Sequence, residues 1–183
     1  MKKTDLLFGI VSFTNGKDRH FFLADFDNAT EIELMEKIGK ILIDKHKFGV
    51  CYLIKSGKGY HVLNFTEKLT LEKYIELLQE LESDPLYIKW VKKVGYGVLR
   101  ISRRSIHMKV PKLRKVLLSP YKNEEDISVR NFYFMLLRLE MAYASVKRII
   151  VKEEEESLEK ELERKAKRHG FKLVRVEKND KES

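Results

Sequence analysis

The stretch IKSGKGYHVLNF, residues 54 to 65, constrains the fold more than any other part of the chain. Two apolar runs flank a turn containing Gly57 and Gly59, residues that give the backbone the freedom a tight reversal needs. An antiparallel hairpin over about residues 49–65 is therefore expected. Ser56, Lys58 and His61 stand around its tip. Read alone, they are a solvated lysine and two ordinary strand residues.

The neighbouring segments supply partners for this hairpin. LLFGIVSF and RHFFLADFD read as strands on either side of TNGKDR, whose Asn-Gly pair is a hairpin signal. Thr30 and Glu33 make a capping box, and Ile32, Met35, Ile38, Ile41 and Leu42 then recur at helical spacing to about residue 46. A second amphipathic helix is expected from Thr70 to Leu81, with Leu71, Tyr74, Ile75, Leu78 and Leu81 on one face. The order strand, strand, helix, strand, strand, helix predicts an α+β fold, a mostly antiparallel sheet with helices packed on one side.

Beyond this core, YGVLRISRRSIHMKVPKLRKVLL reads as further strand with turns. The run from about residue 129 reads as a long buried helix, although its aromatic residues leave a strand open. Residues 153–169 form a charged helical pattern closed by Gly170, and FKLVRVE is a last strand. The expected organisation is a single domain over residues 1–183, with a core at 1–122 and a mainly helical extension at 123–183.

Composition narrows the class. A 43% hydrophobic fraction with 36% charged residues over 183 residues describes a globular protein with a real core, not a disordered one. The single cysteine, Cys51, lies in an apolar run and reads as a buried strand residue; one cysteine cannot form an intrachain disulfide. No run approaches the roughly 18 apolar residues of a membrane span, and the N-terminus lacks a secretory pattern, so a cytoplasmic protein without membrane contact is expected. The net charge is +9, and residues 89 to 122 carry many Lys and Arg with no Asp or Glu. Such a block is the footprint of a polyanion partner. Heavy Lys and Glu usage is also a mark of heat-adapted proteins.

FFLADFDN carries the second chemical signal. Side chains two apart on a strand share a face, so Asp25 and Asp27 project together. Neighbouring carboxylates repel unless a cation lies between them, an arrangement suited to one or two Mg2+ or Mn2+ ions. If the intervening helix is a crossover, this pair and the Ser56/His61 hairpin fall on adjacent strands. The cation would then lie beside a serine hydroxyl, a lysine and an imidazole, all potential phosphate contacts.

LADFDN and SGKGYHV together resemble the first two motifs of the archaeo-eukaryotic primase superfamily, the primase-polymerases. The resemblance covers roughly residues 20 to 112. It implies an RRM-like catalytic core in which Asp25 and Asp27 hold catalytic metals while Ser56 and His61 contact the triphosphate of an incoming nucleotide. Lys58 joins them by position and charge. A fainter echo orders Asp84, Pro85, Arg100, Ser105, His107 and Lys109 as in many of these primases. It makes Asp84 a candidate third carboxylate and Arg100 a nucleotide contact. Asp84 also reads as the cap of a turn. The chain departs from the family in having only 24 residues ahead of Asp25 and arginines where the later loop usually has proline and glycine.

The function expected from this resemblance is nucleotidyl transfer, using nucleoside triphosphates on a single-stranded DNA template. Arg103, Arg104, Lys109, Lys112 and Arg114 would follow template phosphates, and a second primase or helicase subunit is a possible partner. The alternative is a non-catalytic nucleic-acid-binding subunit. A phosphatase of the haloacid dehalogenase type fits less well, because that family places a threonine where Ala29 stands and needs a parallel sheet.

Overall fold

A computed structural model describes residues 9–14, 18–102, 109–141, 160 and 163–164. The chain divides into two compact units, Met1–Ala142 and Tyr143–Ser183. In the second, Lys160, Glu163 and Arg164 are helical; the FKLVRVE strand and the Gly170 cap expected there lie outside the described residues.

The first unit is an α+β fold. Its strands are β1 (Gly9–Val11), β2 (His20–Phe26), β3 (Cys51–Ser56), β4 (Gly59–Leu69), β5 (Val98–Arg100) and β6 (Lys112–Leu117). The helices are α1 (Glu31–Lys37), which runs on into a π-helical stretch Ile38–Lys45, then α2 (Leu71–Glu80), α3 (Pro85–Val94) and α4, residues 127–141. The main sheet is antiparallel, in the order β2-β4-β3-β6, and β1 and β5 form a separate antiparallel pair. Because β4 runs antiparallel to both neighbours, β2 and β3 are parallel and flank it. The helix between them is a crossover.

The expected 49–65 hairpin is β3 and β4, with Ser56 opposite Gly59 and Gly57 at a φ of 62°. The expected hairpin between the first two strands is different in detail. β1 pairs with β5, and among the described residues its continuation meets β2 at a Phe13–His20 bridge. Ser12 joins the two sides: its hydroxyl accepts from the Gly97 N–H at 2.9 Å, just ahead of β5, and contacts His20 Nδ1 of β2 at 2.9 Å.

The capping box at Thr30 forms in both directions, at 2.9 Å and 3.3 Å. The buried face of this helix is Leu34, Ile38, Leu42 and Ile43, whereas Ile32 is 72% exposed, so the apolar stripe is rotated from the expected one. The π-helical turns contribute to the offset, since the His46 N–H reaches back five residues to the Ile41 carbonyl. In α2 the Thr70 cap forms, and Tyr74, Leu77 and Leu78 are buried.

Helices lie on both faces of the sheet, not on one. Phe22 packs against Phe48 and Tyr74 of α2, while its neighbour Phe21 packs against Phe65, which meets Tyr133 of α4. Adjacent strand residues point to opposite faces, so α2 and α4 cover different sides. This is why β2 and the first part of β4 read as nearly unbroken apolar runs. β6 is an edge strand, mostly exposed. Among the described residues no helix is long and apolar enough to cross a membrane.

Candidate functional site

The register of the central strands builds one end of the sheet. Asp25 of β2 lies directly opposite His61 of β4, which lies opposite Ile54 of β3, and Ser56 follows two residues beyond Ile54. Asp25, His61 and Ser56 therefore share one face, at the end where β2 and β3 finish and β4 begins. β2 ends at Phe26, and Asp27 falls just past it. Gly59 lets the hairpin tip reach this point: a Cβ there would collide with the Phe26 carbonyl oxygen and stand 3.1 Å from the Asp27 Cα.

Asp84 arrives from a distant part of the chain. Its N–H donates to the Asp25 carbonyl at 2.8 Å, and the Ser83 hydroxyl donates to the same oxygen at 2.7 Å. The Asp84 carboxylate caps α3 by accepting from the Tyr87 N–H at 3.0 Å. Beneath the site, the Tyr74 and Tyr87 hydroxyls both donate to the Leu23 carbonyl, fixing α2 and α3 against β2. Ser83 and Tyr87 are supporting residues to which the sequence does not point, and Tyr74 reads there only as part of the apolar face of α2. They act through bonds to residues 51 or more positions away, and nothing local marks them.

The electrostatics follow from this crowding. Burial raises the Asp25 carboxyl to about 6, helped by the charges of Asp27 and Asp84 and opposed by Arg100. His61 is buried and held down to about 3, chiefly by burial and then by the Arg100 charge. Its Nε2 stands 3.6 Å from Asp25 Oδ1, too long for a hydrogen bond. With a neutral imidazole, the pair is a cross-strand contact and not an ion pair. His61 Nδ1 is buried without a hydrogen-bond partner among the described residues.

The remaining sequence candidates are more dispersed. Lys58 is exposed at the hairpin tip. Arg100 closes β5 and acts electrostatically on both Asp25 and His61. Lys112 opens β6 opposite Lys55, at the same end of the sheet as Ser56. Arg114 is the extra residue of a β-bulge in that strand, and its Nε lies 3.1 Å from Glu31 Oε2 at the start of α1. Lys109 is exposed, and Arg103 and Arg104 lie outside the described residues, as do Ser105 and His107.

Among the described residues, no three His, Cys, Asp or Glu side chains converge as a ready-made metal cage. Mg2+ needs less than that, since it is held by one or two carboxylates with water and substrate phosphate completing its shell. Asp25 and Asp27 fit such a donor pair: burial is the main cause of the raised Asp25 carboxyl and the Asp27 charge the next, and a cation would offset both by favouring the charged form. A cleft of about 320 Å³ opens beside Asp27 and Asp84, bordered by Asn28, Ala29 and the Lys37–Glu82 ion pair.

No family model, curated protein or solved structure matches the chain.

Proposed function

We propose that this chain is a nucleotidyltransferase of the primase-polymerase kind, joining nucleoside triphosphates on a single-stranded DNA template. The observation that carries the reading is the facing of Asp25 and His61 across β2 and β4, with Ser56 on the same face and Asp84 tied to the Asp25 backbone. The topology supports an RRM-like core: a crossover helix joins β2 to β3, and β4 lies between them, as in a split βαβ unit. The departure is that β6 adds beside β3 and not beside β2.

In this reading Asp25 and Asp27 hold Mg2+ or Mn2+, with Asp84 as a third carboxylate at the edge of the site. The bound metal would lower the pKa of the attacking 3′-hydroxyl and offset charge on the departing pyrophosphate. The protein's own groups position the substrate. Ser56 and the backbone of the Gly57 turn hydrogen-bond the triphosphate, and Lys58 and Arg100 neutralise it. His61, held neutral, serves as a hydrogen-bonding group and not as a cation. Positioning with charge stabilisation supplies most of the catalysis such transfer requires. The partners that follow are the template strand, through Lys109, Lys112, Arg114 and the Arg103–Arg104 pair, and a second replication subunit. The setting is cytoplasmic.

A second reading, a non-catalytic nucleic-acid-binding subunit, is favoured by one observation: the Asp84 carboxylate already has a structural task as the α3 cap. Thermal unfolding with Mn2+ and a non-hydrolysable nucleoside triphosphate tests the first reading. At 100-fold excess over Kd, ligand binding stabilises the fold by about 2.7 kcal/mol. The wild type should show that rise and the Asp25→Ala/Asp27→Ala variant should not. An equal response from both proteins, or none from the wild type, contradicts the assignment.

A further inference from the structure

The outer face of α3 is not explained by the core or by the site. Its N-cap, Asp84, is bonded to Asp25, and its inner face is buried through Tyr87 and Val91. On the opposite face Leu86, Lys89, Trp90 and Lys93 recur at the spacing of one helical stripe, and all four are exposed. Leu86 is 76% exposed and Trp90 47%. Lys92 flanks the stripe, and the helix contains no acidic residue. An exposed indole between lysines, on a helix with only positive charge, has the make-up of a single-strand platform: an aromatic face for a base and cations for the phosphates on either side.

We infer that the Leu86–Lys89–Trp90–Lys93 face of α3 binds single-stranded DNA, with a base stacked on Trp90 and flanking phosphates on Lys89 and Lys93. The charge complementarity is local as well as global, since the acid-free basic block of the sequence begins at Lys89. The inference rests on the proposed function only in taking single-stranded DNA as the polyanion. It adds a contact surface leading from the carboxylate end of the sheet along a helix whose first turn is anchored there. No nucleotide, metal or reaction is needed for it to operate.

Trp90 is the only tryptophan in the chain, so its fluorescence reports on this face directly. A thymidine 20-mer titrated into the full-length protein, with EDTA and without nucleotide, should quench the emission in a saturable way. Trp90→Ala should weaken binding about tenfold, followed by fluorescence anisotropy of a labelled 20-mer, and Trp90→Phe should retain most of the affinity. Lys89→Gln/Lys93→Gln should reduce the slope of log K against log salt by about 1.4. Far-ultraviolet circular dichroism checks that these surface variants remain folded.

Binding of the 20-mer with unchanged Trp90 emission and unaltered affinity in Trp90→Ala overturns the inference, as does an absence of binding. A blue shift on vesicles of equal parts phosphatidylserine and phosphatidylcholine, without response to the oligonucleotide, assigns the face to a membrane surface and overturns it too. Nucleotide incorporation by the wild type separates the two proposals, with Asp25→Ala/Asp27→Ala expected to lose transfer and keep the quenching. Quenching in a wild-type protein that transfers no nucleotide leaves this inference standing while the catalytic reading falls, and wild-type transfer without quenching does the reverse.

Discussion

Asp25 is the residue on which the site's electrostatics turn. Its carboxyl is raised to about 6 in the folded protein, first by burial and then by Asp27 and Asp84. An acid raised on folding binds more protons in the folded state, so its contribution favours the fold at low pH. That contribution is fully present below the unfolded value near 4 and is lost as pH rises through about 6. His61 has the opposite effect: its value falls from 6.5 to about 3, so its contribution is present above 6.5 and lost as pH falls. Asp25→Asn isolates the first group. Urea denaturation at pH 7 should find the variant more stable by about 1–3 kcal/mol, with the difference gone below about pH 4. A variant less stable than the wild type at pH 7 would mean that the charged carboxylate is already well compensated.

Helix α3 links the fold to the site, and its start is where structural and chemical roles of one side chain can be separated. Asp84 as a cap needs only a side-chain oxygen facing the Tyr87 N–H, which Asn also supplies. Asp84→Asn should leave stability within about 0.5 kcal/mol of the wild type, and Asp84→Ala should cost about 1 kcal/mol. If Asp84 serves as a third carboxylate, both variants lose nucleotide transfer. Full activity in Asp84→Asn would confine the residue to its capping task.

Legibility in the sequence followed the range of the interactions. The Thr30 and Thr70 caps and the β3–β4 hairpin depend on residues a few positions apart, and they were readable. Helix α3 carries its own signals, Asp84 as N-cap, Pro85 in the first turn and Gly95 in a left-handed C-cap, although Asp84 by itself reads as no more than the cap of a turn. The pairing of β1 with β5 and the bond from Asp84 to Asp25 were not legible, because each joins segments far apart in the chain and leaves no local pattern. Helices on both faces followed from α4, whose amphipathic character was hidden by exposed apolar residues such as Phe132, Met135 and Leu139.

At the scale of the whole molecule, a carboxylate end of the sheet is combined with a basic surface. Asp25, Asp27 and the Asp84 backbone gather where the hairpin tip, closed by Gly59, meets the end of β2. Lys112 stands at the same end on β6, whereas Arg114 is engaged with Glu31 and would have to exchange that carboxylate for a phosphate. The most direct measurement is nucleotide incorporation on single-stranded DNA, with and without an annealed primer, supplying ribo- or deoxyribonucleoside triphosphates with Mg2+ or Mn2+. Incorporation by the wild type and its loss in Asp25→Ala/Asp27→Ala is the expected result. Template binding by both proteins with incorporation by neither would contradict the catalytic reading and leave a binding subunit in its place.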